Sequence, residues 1–170
     1  MLDFEGIDRD VRERVLEDSL CTHITKFLLE LGKGFAFVGR QVHVELGEED
    51  FYIDMLFYHL QLRRYVVIEL KATDFEPGMI SQLGMYQTIV DRTLKLAQDE
   101  PTIGLLLVKS KNETVVRYSL AGYKLPMGVS SWVSELDDVL QEKLASALPS
   151  IEEIEREISK GLGDELGDNK

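Results

Sequence analysis

The chain has 170 residues, 44% of them hydrophobic and 29% charged. That balance fits one globular domain and excludes global disorder. With 19 basic and 31 acidic residues the net charge is -12, which excludes a grip on nucleic acid by bulk positive charge but leaves room for a small local site.

Cys21 is the single cysteine, so no internal disulfide and no multi-cysteine metal site can form. A reduced, cytoplasmic compartment is the expectation. The start, Met1 to Asp10, is acidic and lacks the basic-then-apolar order of a signal peptide. No apolar run approaches the roughly 20 residues of a membrane span, so no membrane partner is expected.

The first element is a helix over Arg9 to Leu31. Val11, Leu16, Leu20, Ile24, Phe27, Leu28 and Leu31 recur mostly at three- and four-residue steps, which makes an apolar stripe. Gly32 and Gly34 stand where that helix should stop. Gln41 to Leu46 then alternates as a strand, and Gly47 to Asp50 reads as a turn. Phe51 to Tyr58 is a second strand, His59 to Arg64 a polar connection, and Tyr65 to Lys71 a third strand. Two hairpins in succession give an antiparallel meander.

Helical spacing returns from Pro77 to Ala97, with Pro77 in the first turn. Thr102 to Val108 is an apolar fourth strand, and a helical crossover would pair it parallel to the third. Asn112 to Leu120 reads as a short helix capped by Asn112. Tyr123 to Trp132, interrupted by Pro126, reads as an edge strand. Residues 135–170 are expected to form a separate acidic extension, helical near Ile151 to Ile158 and frayed at its end. The body, 1–134, is then an α/β domain with one central sheet.

Two acids interrupt apolar strands. Asp54 lies in Phe51-Tyr52-Ile53-Asp54-Met55-Leu56-Phe57-Tyr58, and Glu69 in Val66-Val67-Ile68-Glu69-Leu70-Lys71. Strand alternation points Glu69 and Lys71 the same way and Leu70 into the core. Normal hairpin pairing would bring Asp54 beside Glu69. Buried charge at a strand end is costly unless it is paired or used. Two carboxylates suit a hard cation, with the Leu70 carbonyl as a further oxygen ligand. Lys71 could then orient an attacking water or stabilise phosphorane charge. The acid-x-Lys triplet alone is uninformative, because Asp168-Asn169-Lys170 is a second one. Its context carries the weight.

These residues resemble the PD-(D/E)XK nuclease superfamily, and more closely its YhcG-type family. The run Phe27 to Gln41 is similar to that family's opening. Asp50-Phe51-Tyr52-Ile53-Asp54, Leu56-Phe57-Tyr58-His59, Val66 to Lys71, Ile103-Gly104-Leu105, Lys109-Ser110-Lys111-Asn112 and Pro149 to Glu153 are similar in turn. Ile53 stands where the superfamily name has proline. The resemblance implies a restriction-endonuclease-like αβββαβ core, a central mixed sheet flanked by helices. It implies a phosphodiesterase that uses one or two Mg²⁺ or Mn²⁺ ions and metal-activated water, most simply on DNA, with RNA left open. Asp54, Glu69 and Lys71 match the catalytic positions. Glu17 on the first helix matches a further metal-binding acid, and Gln82 the glutamine of the second helix. Lys109, Lys111, Arg40 and Tyr86 are the expected nucleic-acid contacts. A homodimer is left open. A helical N-terminal domain of longer members is expected to be absent from this chain.

Blander readings stand beside these. Asp18 is an alternative to Glu17, Gln82 could be a surface amide, and Tyr86 could be a packing residue. Structural roles suit His23, His43 and His59 better than metal ligation. A different class of function is a catalytically idle nuclease-fold domain that docks protein or nucleic acid. The charge itself divides unevenly. Residues 135–170 carry -7 and residues 1–18 carry -4, leaving the body at -1. Any grip on DNA must therefore be local, metal-assisted or supplied by another domain.

Overall fold

The computed structural model describes residues 4–131. The expected C-terminal extension, its helix and Trp132 lie outside them. Helix α1 (Phe4–Leu31) is followed by strands β1 (Phe35–Leu46), β2 (Glu49–His59) and β3 (Arg64–Leu70). Helix α2 (Gly78–Thr93), strand β4 (Ile103–Val108), helix α3 (Glu113–Leu120) and strand β5 (Met127–Ser131) complete the order. The strands lie side by side in sequence order in one five-stranded sheet. β1, β2 and β3 pair antiparallel, while β3–β4 and β4–β5 pair parallel. This is the expected αβββαβ core with one added crossover.

The β1–β2 turn shows why the first hairpin closes tightly. Leu46 pairs with Glu49, so Gly47 and Glu48 alone form the loop. Both have left-handed backbones, with φ of 57° and 69°, the geometry that matches the twist of the flanking strands.

The sheet separates two cores. On one face Leu20, Cys21, Ile24 and Leu28 of α1 pack on Met55, Phe57, Val66, Ile68, Leu70, Leu105 and Leu107. On the other, Ile80, Leu83, Tyr86, Ile89 and Val90 of α2 and Val116 of α3 pack on Ile53, Leu56, Val67, Leu106, Val108 and Val129. β3 and β4 are buried on both sides, which explains their unbroken apolar runs. The stripe of α1 extends past its packing, because Val11 and Val15 are exposed. Among the described residues no helix is long and apolar enough to cross a membrane.

Boundaries differ from the sequence reading in several places; α1 begins at Phe4 rather than Arg9, and β2 at Glu49 rather than Phe51. β1 begins at Phe35 rather than Gln41, because a register shift between Phe37 and Gly39 breaks the alternation that would have revealed it. α2 ends at Thr93 rather than Ala97. Leu94 and Leu96 continue the apolar spacing but are exposed, and the Asp99 carboxylate takes the Leu96 N–H. β5 starts only after Pro126, whose carbonyl accepts the Gly104 N–H at 2.9 Å.

The α3 cap is as expected. The Asn112 side-chain oxygen Oδ1 accepts from the Thr114 and Val115 N–H groups at 3.0 and 3.2 Å. Asn112→Ala leaves both donors without that acceptor and should cost about 1 kcal/mol. A urea midpoint unchanged from the parent chain would contradict this.

Candidate active site

The site lies where β2 and β3 part. Their last paired residues at this end are Met55 and Ile68. One residue further on, side chains replace the ladder. The Asp54 N–H donates to Glu69 Oε1 at 3.0 Å, and the Leu70 N–H donates to Asp54 Oδ2 at 2.9 Å. Backbone donors leaving a sheet need partners, and here each carboxylate serves the other strand. Both acids are thereby fixed in direction before any ligand arrives. The expected meeting of Asp54 and Glu69 is found.

Burial sets the electrostatics. Glu69 is only 3% exposed. Its carboxyl is held well above the usual range, first by burial and then by the negative charge of Asp54; Lys71 opposes the shift. Tyr86 comes from α2 to the same place. Its hydroxyl is pushed up to about 12, by burial first and then by Glu69 and Asp54, and it takes a hydrogen bond from the Tyr52 backbone. The Gln41 amide donates to Asp54 Oδ1 at 3.1 Å.

Lys71 follows β3, its backbone N–H bonded to the Leu107 carbonyl at 2.8 Å. Its positive charge favours the charged forms of both Glu69 and Glu17. Glu17 Oε1 accepts from the Ala72 N–H at 3.1 Å. Its carboxyl is also raised, mainly by burial. Among the described residues no group of three or more His, Cys, Asp or Glu side chains gathers as a metal site. Glu17 reaches the site from α1, held by the Ala72 N–H. Gln82 is half-buried on α2, one turn before Tyr86 and on the same helical face.

The expected nucleic-acid contacts divide. Lys109 is exposed at the end of β4, and its N–H donates to the Thr73 carbonyl in the segment after Lys71. Arg40 is partly exposed and ties β1 to α1 through Thr22 and Asp18. Lys111 turns inward, its side chain only 3% exposed and its ammonium 3.2 Å from the Val129 carbonyl. Tyr86 is 3% exposed, its ring packed toward Phe51. Neither Lys111 nor Tyr86 presents a free surface to a phosphate or a base, so both belong to the interior.

Two of the histidines make local bonds. His59 is fully buried, its Nδ1 accepting from the Leu62 N–H at 3.1 Å, and His43 pairs with Asp50 at 2.6 Å. Cys21 lies in the α1-side core, and its thiol is pushed up to about 12 by burial and then by Asp54. It stays protonated at neutral pH, so the donors at this end of the sheet are oxygens.

An αβββαβ sheet whose second and third strands each bring a carboxylate to one end is the architecture of a PD-(D/E)XK nuclease domain. A family model for the YhcG PDDEXK nuclease domain matches residues 1–149, and the chain belongs to that family. It is similar to the YhcG protein of Escherichia coli (strain K12), 32% identical over 148 residues, or 87% of this chain and 39% of that protein. The chain thus spans about two fifths of the length of that relative. Similar solved structures include a repair endonuclease from Pyrococcus abyssi, with 19% identity and a TM-score of 0.45 over 62% of this chain and 44% of that one. Another is EndoMS in complex with dsDNA, with 19% identity and a TM-score of 0.45 over 65% and 44% of the two chains.

Proposed function

We propose that this domain is a Mg²⁺- or Mn²⁺-dependent nuclease that hydrolyses phosphodiester bonds in DNA. The observation that carries the reading is the reciprocal bonding of Asp54 and Glu69 at the parting of β2 and β3. The donor set fits a hard divalent ion. It offers two carboxylates and no thiolate or imidazole, and Mg²⁺ binds through one or two carboxylates while keeping waters. The Leu70 carbonyl adds a third oxygen, since a strand residue directs its N–H and C=O to the same edge, and the Leu70 N–H already faces Asp54. When bound, such an ion supplies Lewis acidity at the phosphate and makes water nucleophilic near neutral pH.

The protein's own groups do the rest. Asp54 and Glu69 are oriented in advance by the two backbone donors, so little ordering is left for the moment of binding. Lys71, two residues after Glu69 and electrostatically felt by it, is assigned to donate to a phosphate oxygen and offset charge that grows in the transition state. Gln82, half-buried one turn before Tyr86, is assigned to orient the attacking water. Lys109 and the exposed part of Arg40 are assigned to the phosphate backbone flanking the scissile bond.

Titration calorimetry with Mn²⁺, run beside cleavage of duplex DNA and of an RNA strand, tests the proposal. Saturable Mn²⁺ binding and DNA cleavage that stops with EDTA are expected. An absence of both would make the chain an idle docking module instead, and cleavage of RNA alone would reassign the substrate.

A further inference from the structure

Residues two apart on a strand share a face, and β1 and β2 break this rule together at one place. Arg40 reaches across to Thr22 and Asp18 of α1, and its partner Met55 lies in the α1-side core. Two residues on, Val42 packs against the α2-side core, and its partner Ile53 lies within it. The pairing offset does not change: Arg40 opposes Met55 and Val42 opposes Ile53. The hairpin therefore turns over between those pairs, at Gln41 and Asp54.

Gln41 carries the backbone signature of that turnover, a φ of 51°. Left-handed backbone is uncommon and strained for a residue with a Cβ. Its amide then crosses to Asp54 Oδ1 at 3.1 Å. The strained backbone and the side-chain bond thus converge on one carboxylate. Counted from Met55, an uninterrupted ladder would instead have put Ile53 on the α1 side and Asp54 on the α2 side.

We propose that Gln41 is a positioning residue for Asp54. Its left-handed backbone rolls the β1–β2 arm over at the site, and its amide fixes the rotation of the Asp54 carboxylate toward a divalent cation. This rests on the metal-dependent reading of the site. Gln41 touches neither substrate nor cation; it acts through Asp54, as residues behind a metal ligand do, where substitution typically costs 10- to 100-fold in affinity or activity.

Two variants of the full chain separate the amide from the backbone. Gln41→Gly removes the amide but suits the left-handed geometry; Gln41→Ala removes the amide and keeps the strain. Both should weaken Mn²⁺ binding by about tenfold and lower kcat with little change in KM. Gln41→Gly should nevertheless melt at or above the parent temperature. A purely structural role would make metal affinity follow melting temperature, leaving Gln41→Gly with parental affinity, and that result overturns the proposal even if Gln41→Ala fails to fold. If the parent chain binds Mn²⁺ and Gln41→Gly binds it equally well, this inference alone fails. If the parent chain binds no Mn²⁺, the metal-dependent reading fails and takes this inference with it.

Discussion

Glu69→Gln is expected to reduce divalent-cation-dependent DNA cleavage by a thousandfold or more while leaving the metal-free protein at least as stable as the parent. The two halves of this expectation come from one feature. Glutamine is nearly isosteric and its carbonyl can still accept the Asp54 N–H now bonded at 3.0 Å. It carries no charge, so the repulsion between Glu69 and Asp54 disappears and a cation loses one anionic ligand. Because the Glu69 carboxyl is raised by burial and by Asp54, the folded state holds that proton more tightly than the unfolded chain. Stability of the metal-free parent should therefore fall as pH rises from about 4.3, the unfolded glutamate value, through the raised folded value. Glu69→Gln should flatten that decline. Melting scans in EDTA between pH 4 and 9 read the stability half, and steady-state cleavage reads the other. Lys71→Ala is the companion: it should lower kcat by about 10²- to 10⁴-fold, the usual range for a group assisting proton or charge transfer. Undiminished cleavage in either variant would sink the mechanism.

Gly104→Ala should be the most destabilising single-methyl change in the sheet. Gly104 sits within β4, and its N–H is held by the Pro126 carbonyl. The Gln87 side chain from α2 lies directly over it. A Cβ at position 104 would fall 2.5 Å from Gln87 Cδ and also collide with Oε1. Gln87 has nowhere to retreat, because its amide nitrogen donates to the Thr102 and Pro126 carbonyls, both at 2.9 Å. Those bonds tie α2 to the starts of β4 and β5. Overpacking costs about 1–3 kcal/mol, and displacing Gln87 adds about 1 kcal/mol per lost bond. A fall in Tm of about 10 °C is expected for a chain of this size. Gly104→Ala combined with Gln87→Ala should be less destabilised than the sum of the two single changes, because the added methyl then finds space. A Tm within 2 °C of the parent for Gly104→Ala would contradict the packing.

The element order and the acid pair were readable because they rest on periodicity and spacing. Asp54 and Glu69 each interrupt an apolar run, and a short connection between two strands forces them together. Asn112 was readable because its amide acts locally on Thr114 and Val115. Features set by tertiary contact were not. Gln41 reads as an ordinary polar residue opening an alternating strand, and its left-handed backbone leaves no mark in composition. The signal that was present is the misfit itself, since Gly39-Arg40-Gln41 lies between two alternating stretches of opposite phase. Lys111 reads as a surface cation, yet a lysine can lay its aliphatic stem along a core and hydrogen-bond a carbonyl at its tip. Leu94 and Leu96 extend the periodicity of α2 although nothing covers them. Tyr86 follows from helical spacing, but only the folded sheet places its hydroxyl beside two carboxylates.

The exchange of backbone donors at the end of β2 and β3 also makes the site a built-in sensor. The amide protons of Asp54 and Leu70 point at the oxygens that would receive a cation. A nitrogen–proton correlation spectrum should therefore report occupancy at those two signals first. Mg²⁺, which is diamagnetic, would shift them and leave the Thr114 and Val115 signals at the α3 cap in place as internal references. Affinity, stoichiometry and the difference between one ion and two would then be visible in the backbone itself, with no substrate present.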